Sequence, residues 1–250
     1  MLIDTALAPD GVANRRQVEN LNAVFDRLSA RRVEKIMLPE LGTGFRASNL
    51  IRVYLQSHMR RMLQLTEAAF TEFFDGRGVV AIMCARGLYE GLATVTDFEK
   101  QLHVLIEAGD VPAIFQFTKE KSHATKMQDW ITKMGNTNLT AKNVITMVDK
   151  LKSIRANVPD EYGFLSEIAH PNGVGTVGFF ARLGQGSDDV AYFDDSGPDV
   201  HADLQWIFVA SYFLIHFEQV MNRIEAGLPA LSAKGAAEAP KPTAPSSESR

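Results

Sequence analysis

The chain has 250 residues, 46% of them hydrophobic and 22% charged, with a formal net charge of -4. That is enough apolar material for one large core or two modest ones, and the charge balance argues against a surface that coats nucleic acid. The lone cysteine, Cys84, excludes an intramolecular disulfide and a cysteine-built zinc site.

The N-terminal MLIDTALAPDGVANRR lacks a basic start followed by an apolar run, so no signal peptide and a cytoplasmic location are expected. Asn14 is placed to cap a first helix over 15–37, with Leu21, Val24, Phe25, Leu28 and Val33 near helical spacing. A glycine-containing loop over 38–47 precedes Ser48, which reads as the N-cap of a second helix to Phe74. Asp75-Gly76-Arg77-Gly78 is a turn, and a third helix follows over 79–108, stopped by Gly109. Asp110 and Pro112 open a fourth helix to Met134, and Gly135-Asn136 ends it. Thr140 caps a shorter helix with Val144, Ile145, Val148 and Leu151 inward, and Pro159-Asp160 opens another that closes at His170-Pro171. From Val174 the period falls to two: Val177, Phe179, Ala181 and Leu183 alternate, then Val190 and Tyr192, predicting a β-hairpin over about 174–194 with its loop near 184–189. Asp199 starts a last helix to Gly227, with Leu204, Ile207, Phe208, Phe213, Leu214 and Phe217 covering most of its circumference. Residues 233–250 contain no Leu, Ile, Val, Met or aromatic residue and are expected to be a disordered tail. The expected architecture is therefore mainly α, a bundle of about seven helices in one domain over 1–232, with one β-hairpin before the last helix.

Within the third helix, Gly78–Thr96 carries only Arg86 and Glu90 as charges, four residues apart and so on one face. A helix apolar all round is usually buried, and a buried Arg or Glu must be paired or functional. The same pair would be expensive in lipid, and Trp206–Phe217 is too short to span, so no membrane span is expected. Three readings stand for the pair: a structural ion pair, an anion-holding Arg86 with Glu90 as base or orienter, or simple exposure. Cys84 on the same helix reads as a small buried hydrophobe.

Chemistry is denser in Tyr162–Gly173, where Ser166, Glu167 and His170 can converge at one helix end and Pro171 stops the helix. The candidate catalytic residues are accordingly His170, Glu167, Arg86 and Glu90, against the plainer reading of 162–173 as a helix end leading into the hairpin. Glu167–His170 and Glu120–His123 both show the Glu-x-x-His spacing of di-metal helical bundles, with Glu67 and Glu90 as further carboxylates. Lysines 119, 121 and 126 surround the second motif, however, so neither a bound metal nor a cofactor is the expectation, and a di-metal carboxylate helical bundle stands as a further alternative function. Arg52 and His58 match an Arg–His spacing of small helical nucleases, but six residues put them about 120° apart on a helix. Gly42-Thr43-Gly44 has no preceding strand and does not read as a phosphate loop.

Arg86-x-x-x-Glu90 on an apolar helix, followed by Tyr162-x-x-Leu165-Ser166-x-x-x-His170, resembles a group of uncharacterised bacterial all-helical domains over residues 45–225. The resemblance implies a mostly helical fold in which these residues meet. It implies no activity. Two function classes follow from the residues: a helical binding or interaction module of unknown partner with an internal polar centre, or a hydrolase, acting on a phosphoester, with His170 as acid or base and Arg86 stabilising negative charge.

Overall fold

Two long helices facing each other set the frame. A computed structural model of the chain describes residues 15–38, 43–183, 190–195 and 197–237. Helix α1 (Arg15–Ala30) leads to α2 (Thr43–Phe74), and α3 (Gly78–Ala108) returns antiparallel to α2 after a turn in which Gly76 takes φ 78°. The pair approaches closely where Gly87 and Gly91 stand. A Cβ at Gly91 would lie 2.4 Å from Met62 Sδ, and one at Gly87 3.0 Å from Leu65 Cδ1. Around this pair lie α4 (Val111–Ser122), α5 (Gln128–Met134), α6 (Val144–Asp149), α7 (Val158–Ala169), α8 (Val177–Phe180), α9 (Val200–Ser211) and α10 (Phe213–Ala237). Helix α4 packs on α2, α7 and α9 on α3, and α10 on both long helices, while α1 packs on α10. One hydrophobic core runs through all of them except α5, from Val18 on α1 to Leu231 on α10.

The mainly α class and the hairpin before the last helices hold, but several boundaries move for local reasons. Helix α1 ends at Ala30 instead of 37, because α2 side chains take the following carbonyls: Gln56 Nε2 donates to Arg31 O, Arg60 Nη2 to Val33 O and Asn49 Nδ2 to Met37 O. Val33, expected inward, is exposed. Ser48 is not a cap. It lies inside α2, fully buried, with its hydroxyl 3.0 Å from Gly44 O and 3.3 Å from Leu228 O, and it accepts a bond from Ser232 on α10.

The expected fourth helix is two. Thr125 breaks it by pairing with the chain ahead: its N–H donates to Leu139 O and its carbonyl accepts from Ala141 N. Helix α6 is capped by Asn143, whose side chain accepts from Ile145 N, and not by Thr140; Ile145 itself is exposed.

The hairpin is shorter than its alternation suggested. Val177–Phe180 is one helical turn, leaving β1 (Ala181–Leu183) antiparallel to β2 (Ala191–Phe193), with Arg182 opposite Tyr192. The expected loop, 184–189, lies outside the described residues. The expected last helix is divided at Tyr212, which keeps helical dihedrals while Ile215 N reaches back only three residues to Tyr212 O. Helix α10 continues to Ala237, past the expected helix end at Gly227 and into the expected tail; the rest of that tail, 238–250, lies outside the described residues.

Candidate functional site

Helix α3 is apolar but not buried all round. Val80, Met83, Arg86, Glu90 and Thr94 form a stripe of exposed or half-buried positions at helical spacing. Arg86 and Glu90 therefore sit at a helix junction, with 29% and 24% of their side chains exposed, and not in a sealed interior. Their ion pair closes at 3.0 Å between Arg86 Nη2 and Glu90 Oε1. Helix α7 supplies the rest. Arg86 Nε donates to Ser166 Oγ at 2.9 Å, Arg86 Nη2 donates to the Tyr162 hydroxyl at 2.7 Å, and that hydroxyl donates to Glu90 Oε1 at 3.0 Å. The Tyr162 hydroxyl bridges the two charges, and Ser166 takes a guanidinium N–H that the ion pair alone would leave unpaired. Burial, then the Glu90 charge, raises the Tyr162 hydroxyl above its ordinary pKa, so it stays protonated and able to donate.

The two segments singled out from sequence thus do meet, through Tyr162 and Ser166. Glu167 and His170 stand apart from this network. Glu167 is exposed and accepts from Asn172 Nδ2 at 2.7 Å. His170, four residues beyond Ser166, would share its face if the helix continued. Instead His170 adopts extended dihedrals (φ -87°, ψ 145°), the geometry that a following proline imposes, and its side chain is exposed.

Glu90 also lines a cavity of about 690 Å³ between α2, α3, the end of α4, residues 138–142 and α6. The volume lies within the range of small-molecule sites. One wall is an aromatic run on α2 and α3: Phe98 and Tyr54 stack at 4.2 Å and His58 lies against Tyr54 at 4.4 Å, while Phe117 of α4, outside the lining, stacks on Phe98 at 5.2 Å. Leu50, Val53, Val144 and Met147 add aliphatic surface. The Thr125–Thr140 pairing that broke the expected fourth helix also carries Lys142 to the rim opposite Lys121.

At the polar end, Asp97 has only 8% of its side chain exposed and receives Lys142 Nζ at 3.0 Å and Lys150 Nζ at 2.9 Å. Gln101 Nε2 also donates to it. Burial alone would push this carboxyl up, but the lysine bonds outweigh it and hold Asp97 below its ordinary value. Lys121 lies over the Phe117 ring at 5.4 Å; burial, then the nearby Lys142, pulls its ammonium below the usual lysine range. His58 is pushed down to about 4 by burial and by Arg61, so its imidazole is neutral at pH 7, and its buried Nδ1 has no hydrogen-bond partner among the described residues.

Sequence reasoning did not single out Asp97, Lys121, Lys142 or Lys150 as site residues, and weighed His58 only in its pairing with Arg52. Among the described residues no three of His, Cys, Asp or Glu gather to hold a metal. Glu120 instead accepts from Gln116, Asn136 and Asn138, and His123 Nδ1 faces Lys119 O. Of the described helices α3 alone is long and apolar enough to cross a membrane, and 61% of that window is buried in the fold.

No protein-family model matches the chain, and searches of curated proteins and of solved structures find no similar one.

Proposed function

We propose that this protein is a helical binding module that takes up a small organic molecule in the cavity between α2, α3 and α6. The observation that carries the reading is the cavity itself: about 690 Å³, walled by Tyr54, Phe98 and aliphatic side chains, with Asp97, Lys121 and Lys142 among the few charged groups on its lining. That combination of apolar wall and few placed polar groups is what a small-molecule site requires. The Arg86–Glu90–Tyr162–Ser166 network serves as a wall fixture that holds α3 and α7 in register, since its donors and acceptors engage one another. Hydrolysis through His170 and Arg86 draws no comparable support. Arg86 commits Nε and Nη2 to Ser166 and Tyr162, and His170 is exposed beyond the helix end and does not line the cavity.

The test is thermal unfolding and titration calorimetry with eight-carbon probes (octan-1-ol, octanoate, octylammonium) on the native protein and on Val53→Trp, whose indole would occupy the cavity. At least one probe should raise the melting temperature of the native protein and bind Val53→Trp at least tenfold more weakly. Absence of binding by all three, or equal binding to Val53→Trp, would remove the basis for the reading.

A further inference from the structure

The charge around the cavity is unbalanced. Two ammonium groups, Lys142 and Lys150, share the single carboxylate of Asp97. Glu90 is already matched by Arg86. Lys121 and Arg61 also line the cavity, and among the described residues neither is ion-paired. Lys121 is half-buried, its stem along Phe117, with Lys142 as the strongest charge acting on it. A cation held away from water beside other cations costs free energy that only an anion can recover. The nearest carboxylates, Asp97 and Glu120, act on Lys121 only in part, and neither forms an ion pair with it. Asp97 is occupied by two lysines, and Glu120 is engaged by the amides of Gln116, Asn136 and Asn138. The cationic end opens onto an aromatic and aliphatic wall, so an anion filling this space would carry an apolar body.

Resting on the binding-module reading above, we infer that the cavity is a site for a small amphiphilic carboxylate, whose head engages Lys121 and Lys142 and whose apolar body lies along Tyr54, Phe98, Val144 and Met147. Asp97 acts as a positioning residue: it fixes Lys142 at the rim and leaves one positive charge in excess. His58, neutral at pH 7, adds no competing charge to the apolar wall. Lowering of the Lys121 ammonium by burial and by Lys142 is the electrostatic cost that the ligand's carboxylate relieves, so binding should raise the Lys121 pKa back toward the usual lysine range.

The experiment compares heads on a constant body. Octanoate, octan-1-ol and octylammonium are titrated by calorimetry into the full chain, at low and at 0.5 M salt, and into Lys121→Met and Lys121→Arg. Met keeps a long stem against Phe117 and removes the charge; Arg keeps the charge. Octanoate should bind about tenfold more tightly than octan-1-ol and more tightly still than octylammonium, and salt should weaken octanoate alone. Lys121→Met should weaken octanoate about tenfold while leaving octan-1-ol unchanged, and Lys121→Arg should retain most of the preference. Inorganic phosphate, charge without an apolar body, should not displace octanoate at equal concentration. Octan-1-ol binding with no preference for octanoate overturns this inference and leaves the binding-module reading standing; displacement by phosphate overturns the amphiphilic character of the ligand. Binding of none of the probes overturns both readings. If Lys121→Met unfolds, the head-group series and salt dependence on the native protein still decide.

Discussion

Asp203 is the buried charge with least support in the fold, and its removal should be visible as a change in the pH dependence of stability. The residue is 4% exposed in the first turn of α9, and its Oδ2 has no hydrogen-bond partner among the described residues. Its surroundings explain why. The Phe179 ring and Gly197, held at φ 84°, close over it so tightly that a Cβ at 197 would lie 2.6 Å from the ring and 2.7 Å from Oδ2. Burial, and to a lesser extent the charge of Asp199, push the carboxyl from 3.8 up to about 6. A raised acid pKa means that the folded state holds the proton more tightly than the unfolded chain. Stability must then fall as pH rises from about 4 to about 6, and the full penalty persists above that range. A shift of about two units, at about 1.4 kcal/mol per unit, gives a penalty of about 3 kcal/mol at pH 7.5. Asp203→Asn removes the titration while keeping the shape. Buried amide hydrogens add a constant offset, so the informative quantity is the change with pH. Urea unfolding of both proteins should show the stability of Asp203→Asn minus that of the native protein rising by about 3 kcal/mol between pH 4 and 7.5, or roughly 6–12 °C in melting temperature for a chain of this size. A carbon-13 titration of the Asp203 carboxyl should have its midpoint near 6. A difference independent of pH, or a midpoint near 4, would refute the reasoning.

Three further outcomes follow from packing and pairing. Gly91→Ala should lower stability by about 1–2 kcal/mol in chemical denaturation, because overpacking against the buried Met62 outweighs the gain in helix propensity; Gly87→Ala, facing a half-buried Leu65, should change it by less than about 0.5 kcal/mol. Asp97→Asn should cost about 2 kcal/mol at pH 7 and progressively less as pH falls below the ordinary carboxylate range, because the lysine bonds hold the folded pKa down and that contribution is lost on protonation; equal cost at pH 7 and pH 3 would contradict the pairing. Tyr162→Phe should cost about 1 kcal/mol in the same assay, since the Arg86–Glu90 pair persists without the hydroxyl, and no measurable loss would mean that the bridge contributes nothing.

Much of the fold was legible in local chemistry. Gly109 and Gly135 do end helices in left-handed geometry, and Asp110 and Asp199 do cap them through their side chains. What failed depended on partners remote in sequence. Nothing near Val33 says that Gln56 and Arg60 will claim the carbonyls after Ala30, and nothing near Thr125 announces Leu139 and Ala141. At the site, the meeting of Arg86 and Glu90 with Tyr162 and Ser166 followed from polar groups placed where apolar ones would pack. The missed part had a signal of its own. Arg86, Glu90, Thr94, Asp97 and Gln101 share one helical face, and Asp97 stands one residue past the apolar window ending at Thr96. His170 leaves the face it would share with Ser166 because helical spacing stops at Ala169, before the position that Pro171 holds extended.

The Glu90 carboxylate belongs to two neighbourhoods. Its Oε1 takes bonds from both Arg86 and Tyr162, and its side chain also borders the cavity. A guest that offered Glu90 a donor would compete with Tyr162 for the same charge, loosening the only hydrogen bond by which the Tyr162 hydroxyl donates among the described residues. The contents of the cavity would then be felt on α7, with no rearrangement larger than the rotation of one hydroxyl. The tyrosine is in effect a reporter: its ultraviolet absorbance or fluorescence would register an occupant it never touches.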